Sequence, residues 1–182
     1  MADHQHPLVV VVDQDDKVIG SKDIAQAYND NDIVRIARCF LVSSKGEVLI
    51  QQRSANMHNW PNLWQDSSAG HVDAGEDYDQ AADREMREEL GITTPVDLQP
   101  VGHYFVKEHL TNGTLRGAFH TVFTAKYDGS TNPDSDEVSA LKWVKLSDLD
   151  TMLVAESKDF MPGTKRAWAV AKPSIQKLIS IV

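Results

Sequence analysis

Cysteine is almost missing: Cys39 stands alone in the chain, so no intrachain disulfide is available and nothing points to an oxidising compartment. Its setting, Ala37-Arg38-Cys39-Phe40-Leu41, predicts a buried strand thiol rather than a nucleophile. Long apolar runs are missing too. No stretch approaches a membrane span, and the start, MADHQHPLVVVVDQ, lacks the basic segment and long apolar run of a signal peptide. Cytoplasm is therefore the expected compartment. Positive charge is scarce, with 18 Lys and Arg against 27 Asp and Glu for a net charge of -9. That balance argues against broad binding to nucleic acid or to an anionic membrane. Internal repeats and low-complexity segments are also absent.

What is present fits one domain: 182 residues, 41% hydrophobic and 25% charged, an ordinary composition for a chain that can bury a core. Leu8 to Val12 and Lys17 to Gly20 predict a hairpin around the Asp13–Asp16 turn. Ser21 is the expected N-cap of a short helix through about Tyr28. The polar connector Asn29–Asp32 is the expected boundary between an N-terminal extension (1–32) and a core (33–155), which a C-terminal helical segment (156–182) follows. Strands are expected at 33–42, 48–53, 98–106, 115–127 and 140–146. A loop is expected at 54–65, and a helix capped by Ser147 is expected to run through about Leu153. The last segment has helical spacing in its second half, and Pro173 is expected to kink or interrupt it. Strands on both sides of one central helix, with further helices late, suggest a layered α/β domain.

The chain is organised around Gly70 to Ile92, GHVDAGEDYDQAADREMREELGI. Asp77 and Gln80 have capping-box spacing and Gly91 is the natural stop, so the spacing predicts a helix between them. On it Glu85, Glu88 and Glu89 stand at i, i+3 and i+4, sharing one face beside an apolar row of Ala82, Met86 and Leu90. Like charges at these spacings repel, and hard divalent cations relieve that repulsion while bridging to phosphates. The alternative is a solvated acidic helix with Arg84 and Arg87 as partners.

The whole skeleton resembles the Nudix box at Gly70, Glu76, Arg84, Glu85, Met86, Glu88, Glu89, Gly91 and Ile92. The resemblance implies an α/β/α sandwich with a mixed sheet, Mg²⁺ or Mn²⁺ as cofactor, and a small-molecule diphosphate as substrate. It implies metal ligation by Glu85, Glu88 and Glu89, with the Gly70 carbonyl joining them. Glu76 and Arg84 resemble the ion pair that holds the helix in place. A bound metal changes the local sign of charge, so the acidic composition does not exclude a nucleotide substrate. The sequence leaves self-association into a homodimer open.

A finer resemblance runs through Asn59-Trp60-Pro61-Asn62-Leu63-Trp64 to Ala69-Gly70-His71 and the N-terminal hairpin, which are similar to the isopentenyl-diphosphate isomerase branch of the Nudix superfamily. Isomerases of that branch carry a cysteine immediately before the Gly-His pair, where this chain has Ala69. They carry a glutamate on a later strand, which falls near Ala118, and histidine ligands that have no counterpart around Ala27 to Val34. They also lose several box glutamates that this chain keeps. The chain thus resembles the isomerase scaffold with a hydrolase's helix, and the implied reaction is attack of water on a diphosphate phosphorus. An isomerase-like enzyme or a non-catalytic diphosphate-binding module are the alternatives.

The general base is left between Glu85 and Glu137, the latter in the acidic loop before the strand that carries Trp143. His71 matches an isomerase metal ligand, but without its partners it is expected to contact phosphate or water or to be structural. Trp60 and Trp64 either line the substrate cleft or pack in the core. His103, Glu108, His109 and His120 surround the later strands and receive no role.

Overall fold

A computed structural model describes residues 8–110, 112–155 and 157–180. The elements run β1 (Val9–Val12), β2 (Val18–Lys22), α1 (Ile24–Asn29), β3 (Ile33–Val42), β4 (Glu47–Arg53), β5 (Trp64–Gln65), β6 (Ser68–His71) and α2 (Tyr78–Leu90). They continue with β7 (Gln99–His109), β8 (Leu115–Lys126), β9 (Val138–Lys145), α3 (Leu146–Ala155), a 3-10 turn at Ser157–Asp159 and α4 (Thr164–Ser180).

β3 is the spine. Along one edge it pairs in parallel with β8 over ten residues, from Ile33↔Gly117 to Val42↔Lys126. Along its other edge come β1, then β6, then the start of β4, all antiparallel. β7 extends the sheet beyond β8, and β4 carries β9 and the short β5. The N-terminal hairpin is continuous with this mixed sheet.

Residues in register across strands share a face, and alternate residues along a strand change face. Ala37, Cys39 and Leu41 of β3 therefore pack with Phe119, Phe123 and Ala125 of β8 under Ala82, Met86 and Leu90 of α2. Phe40, Val42 and Val122 point the other way and pack under α3 and α4, against Leu149, Leu153, Trp168 and Ile175. At the start of that second face, Val34, Ile36 and Ala118 join Val9, Val11 and Ala27 in a third cluster. The result is an α/β/α sandwich. No helix among the described residues is long and apolar enough to cross a membrane.

Four local expectations are revised. Ser21 lies in β2 opposite Val10, and Asp23 caps α1 instead, accepting from the amides of Ala25 and Gln26. Ser147 sits inside the first turn of α3 rather than before it. Pro173 does not interrupt α4, which runs through it with Trp168, Ala171 and Ile175 buried on either side. The loop at 54–65 ends in a two-residue strand, β5, paired to β4.

Candidate active site

α2 is cut to length by its own sequence. Asp77 accepts from the Gln80 amide at 2.9 Å, and the Gln80 side chain accepts from the Asp77 amide at 3.0 Å. Gly91 ends the helix with φ of 64°, and a Cβ there would lie 2.2 Å from the Asn132 carbonyl oxygen. Its apolar row seats the helix, and the same face carries Glu85 and Glu89 down beside it, 9% and 3% exposed.

Arg84 gathers the acidic groups. It donates to both Glu76 oxygens at 2.9 and 3.0 Å, to Glu85 at 2.7 Å, to Glu88 at 3.0 Å and to the His71 carbonyl at 2.8 Å. Burial works against its charge and these carboxylates outweigh it, so the guanidinium is held firmly protonated. The Glu76–Arg84 pair expected from the sequence is present, and Arg84 additionally ties α2 to the end of β6. Glu88 lies at the outer edge, its side chain 58% exposed.

Glu89 is the innermost carboxylate. Its Oε2 accepts from Gln51 Nε2 at 2.7 Å and from the Ala69 amide at 3.0 Å. Burial raises its pKa well above the ordinary value, and neighbouring Glu85 raises it further. Glu85 is pushed up to about 7 by burial, against the pull of Arg84. Gly70 has no room for a side chain on this side, since a Cβ would lie 1.9 Å from Glu85 Oε1. Glu137 sits within electrostatic reach of both carboxylates, and its own pKa is raised by burial, then by Asp134 and Glu88.

As they stand, no three of the described carboxylates, histidines and cysteines form a ready cage for a metal ion, and Arg84 takes up oxygens of Glu85 and Glu88. The donor set nevertheless fits a hard divalent cation: it is all oxygen, and Glu89, buried beside Glu85, is held by neutral donors alone. The close approach of Gly70 to Glu85 leaves the strand backbone free of any intervening methyl.

The positions at which the chain departs from the isomerase branch converge in space. Ala27 and Val34, together with Ala118, lie in one fully buried apolar cluster. The place expected for metal-binding histidines and a glutamate is therefore filled with methyl groups. His71 lies nearby and bonds Tyr28 OH at 2.5 Å. Its pKa is pushed down to about 3 by burial, then by Arg116 and Arg84, so the ring is neutral.

The two tryptophans part company. Trp64 packs against the core cluster under α3 and α4. Trp60, with φ of 50°, lies under the Arg116 guanidinium at 5.6 Å and borders a cavity of about 360 Å³ with Leu63, Leu153, Phe160, Met161 and Lys165. Cys39 is buried, and its pKa is raised by that burial, as expected of an inert thiol.

Sequence reasoning missed Gln51, which holds Glu89, and Arg53, whose pKa burial lowers while Glu89 and Glu137 raise it. The available signal was a polar tail, Gln51-Gln52-Arg53, on an otherwise apolar strand. It also missed Arg38, a fully buried cation within the ten residues of β3, paired with fully buried Asp66 at 2.5 Å.

The NUDIX domain family model matches residues 33–163. Isopentenyl-diphosphate Delta-isomerase 2 of Photorhabdus laumondii subsp. laumondii is 32% identical over 146 residues, covering 80% of this chain and 81% of that protein. Among solved structures, DR0079 from Deinococcus radiodurans is similar with a TM-score of 0.72 at 23% identity, covering 90% of this chain and 98% of that one. An Ap4A hydrolase of C. elegans is similar with a TM-score of 0.58 at 22% identity, covering 79% of this chain and 98% of the other. At these identities the two structures speak for the fold.

Proposed function

The chain belongs to the Nudix family, in its isopentenyl-diphosphate isomerase-like branch, and on that premise we propose that it is a metal-dependent hydrolase. Its substrate is a nucleoside diphosphate derivative or another small organic diphosphate, cleaved by attack of water on phosphorus. The observation that carries this reading is the pair of buried carboxylates, Glu85 and Glu89, packed against Gly70 on a helix of fixed length.

Glu85, Glu88, Glu89 and the Gly70 carbonyl are the groups that would hold Mg²⁺ or Mn²⁺. Such an ion, when bound, neutralises diphosphate charge and makes a nearby water more acidic. The chain's own residues do the rest. Gln51 and the Ala69 amide fix Glu89 through one oxygen. Arg84, anchored by Glu76, orients Glu85 and Glu88 and ties them to β6. Glu85 and Glu137 are the two candidates for general base, because burial raises both toward the operating pH, where a base works best. Neutral His71 can offer the substrate a hydrogen bond but no charge. The fold is proposed to act as one Nudix unit over 1–182, with 1–32 as an N-terminal extension.

Incubating the pure protein with a panel of nucleoside diphosphate derivatives and Mg²⁺ or Mn²⁺ tests this. Phosphate or nucleotide release is expected, and silence across the panel with both ions would count decisively against it. The named relatives favour a second reading, isomerisation of isopentenyl diphosphate. Ala69 carries no proton and Ala118 no carboxylate, so solvent deuterium should not enter isopentenyl diphosphate. Diphosphate binding by calorimetry without turnover of any compound would instead identify a binding module.

A further inference from the structure

The other face of the same strands carries a second polar cluster. Register places Tyr104, His120, Ile36 and His71 in one row across β7, β8, β3 and β6. The next row holds Gly102, Val122, Arg38 and Ala69. Between the two apolar clusters of this face, Arg38 and His120 are therefore polar groups in the middle of a core, with 0% and 1% of their surface exposed.

Little in the described residues satisfies them. Arg38 gives one bond, from Nε to Asp66, and its Nη1 and Nη2 have no partner. Both ring nitrogens of His120, the Tyr104 hydroxyl, Thr164 Oγ1 and Asp66 Oδ1 also have none. Buried polar groups are rarely left this way; water or a ligand completes them. A cavity of about 210 Å³ opens here between β7, β8 and the start of α4, lined by Tyr104, Lys107, Glu108, His120, Gly163 and Arg166. Gly163 lies directly against Arg38, where a Cβ would be 2.6 Å from Nη1.

Donors outnumber acceptors in this cluster. Arg38, Arg166 and the two hydroxyls all have hydrogens to give. The free acceptors are Asp66 Oδ1, the two hydroxyl oxygens and one nitrogen of His120, whose burial keeps the ring neutral. Glu108 is paired with Arg116 through Oε1. Arg166 forms no salt bridge among the described residues. The complementary ligand is rich in acceptors and negatively charged. Toward the acidic site, His120 shares its register row with His71, whose carbonyl accepts from Arg84, and Arg53 lies within electrostatic reach of Glu89, Glu137, Arg38 and Arg116.

We propose that this cavity is a second oxyanion site, and that it takes a phosphoryl or carboxylate group carried on the organic portion of the diphosphate cleaved at α2. The assignment to substrate rests on the hydrolase reading, whereas the oxyanion site itself does not.

Two experiments separate these parts. Inorganic phosphate is titrated into metal-free protein at constant ionic strength, against chloride, and followed by calorimetry and thermal melts. Wild type is expected to bind phosphate and melt higher with it. Arg166→Gln, a change at an exposed position, should weaken binding roughly tenfold, the size of one charged hydrogen bond. His120→Phe keeps a ring stacked on Tyr104 (centroids 5.0 Å apart in the wild type), so it should melt as high as wild type without phosphate and lose the phosphate shift.

The second experiment compares matched diphosphates with and without a distal phosphate or carboxylate. The distal group should raise kcat/KM at least roughly tenfold, mainly through KM, and Arg166→Gln should erase that preference. Phosphate binding with no such preference would make the ligand a free oxyanion and overturn the substrate assignment. Phosphate binding with no turnover of any diphosphate would overturn the hydrolase reading and the assignment built on it, while supporting the site. No phosphate shift in wild type, or a shift untouched by His120→Phe and Arg166→Gln, would overturn the site and leave the cavity to water.

Discussion

β3 shows opposite chemistry to its two sides. Towards α2, an excess of carboxylates is drawn together and nearly every one is held: Arg84, Gln51 and the Ala69 amide account for Glu76, Glu85, Glu88 and Glu89. Towards α4, an excess of donors is buried and most are unheld. Each side has one glycine placed where a methyl group would strike the central charged residue, Gly70 against Glu85 and Gly163 against Arg38. The difference teaches that satisfaction, not charge, separates a framework from a receptor. The acidic side is organised by the chain itself, and the basic side is organised around something the chain does not supply.

The sharpest break in this comparison is Glu89→Gln. It keeps shape and hydrogen bonding and removes one charge from the acidic side. The expected fall in kcat is at least about 10²-fold, the size of losing one preorganised electrostatic group. Melting without Mg²⁺ should stay level or rise, because a buried like-charge pair is relieved, and the Mg²⁺-induced rise should shrink. Full activity in this variant would remove Glu89 from the metal site.

Gly70→Ala and Gly163→Ala test whether the two glycines play mirrored roles. The first must displace the Glu85 carboxylate and should lower kcat by about 10- to 100-fold, since an ångström-scale misplacement is that costly. The second should leave kcat on a diphosphate lacking a distal anion much closer to wild type and weaken phosphate binding. If both substitutions cost kcat equally, the two faces act as one site and the comparison fails.

Arg84→Met removes the organiser of the acidic side. Three carboxylates lose a charged hydrogen bond, so metal-free stability should drop by about 2 kcal/mol, seen as a fall of about 4–8 °C in Tm. A Tm within a degree of wild type would mean that Arg84 does not organise the cluster. Gly91→Ala should cost about 1–2 kcal/mol through its left-handed backbone and the Asn132 carbonyl, with catalysis in the remaining folded protein retained.

The smallest effect concerns the lid of the basic side. Asp150 accepts from Trp168 Nε1 and Lys172 Nζ, both at 2.7 Å, and so pins α3 to α4. Burial works to raise its pKa, but those two bonds outweigh it and the pKa is lowered. Its stabilisation is therefore present above the ordinary carboxylate value of 3.8 and lost as pH falls through the lower folded value. Asp150→Asn should cost under about 1 kcal/mol at neutral pH and flatten the melting curve's dependence on pH below about 4. An unchanged acid limb would show that the pin contributes nothing.

The two faces also differ in how far they could be read beforehand. Glu85, Glu88 and Glu89 lie within one helical turn, and Asp77, Gln80 and Gly91 mark that helix's ends, so spacing alone brings the acidic side together. The basic side draws on Arg38, Asp66, Tyr104, His120, Gly163 and Arg166, from five separate stretches that only strand register and the docking of α4 unite. His120 was visible as a residue but received no role. The misplaced caps have a similar origin. Ser21 and Asp23 are both good caps, and the ladder between β1 and β2 claims Ser21 for a strand. At Pro173, buried residues on both sides hold α4 together against the local preference for a break.

The parallel ladder between β3 and β8 carries a consequence for how the protein is made. During synthesis β3 emerges long before Leu115–Lys126, its neighbour over all ten residues, has left the ribosome. Until then IVRIARCFLV presents a long, largely apolar strand edge, the kind of template on which chains aggregate. Within that edge Arg35 and Arg38 break the apolar run with charge, the placement that discourages such pairing, so a residue that lies beside the cavity in the finished protein also interrupts the exposed edge of the nascent one.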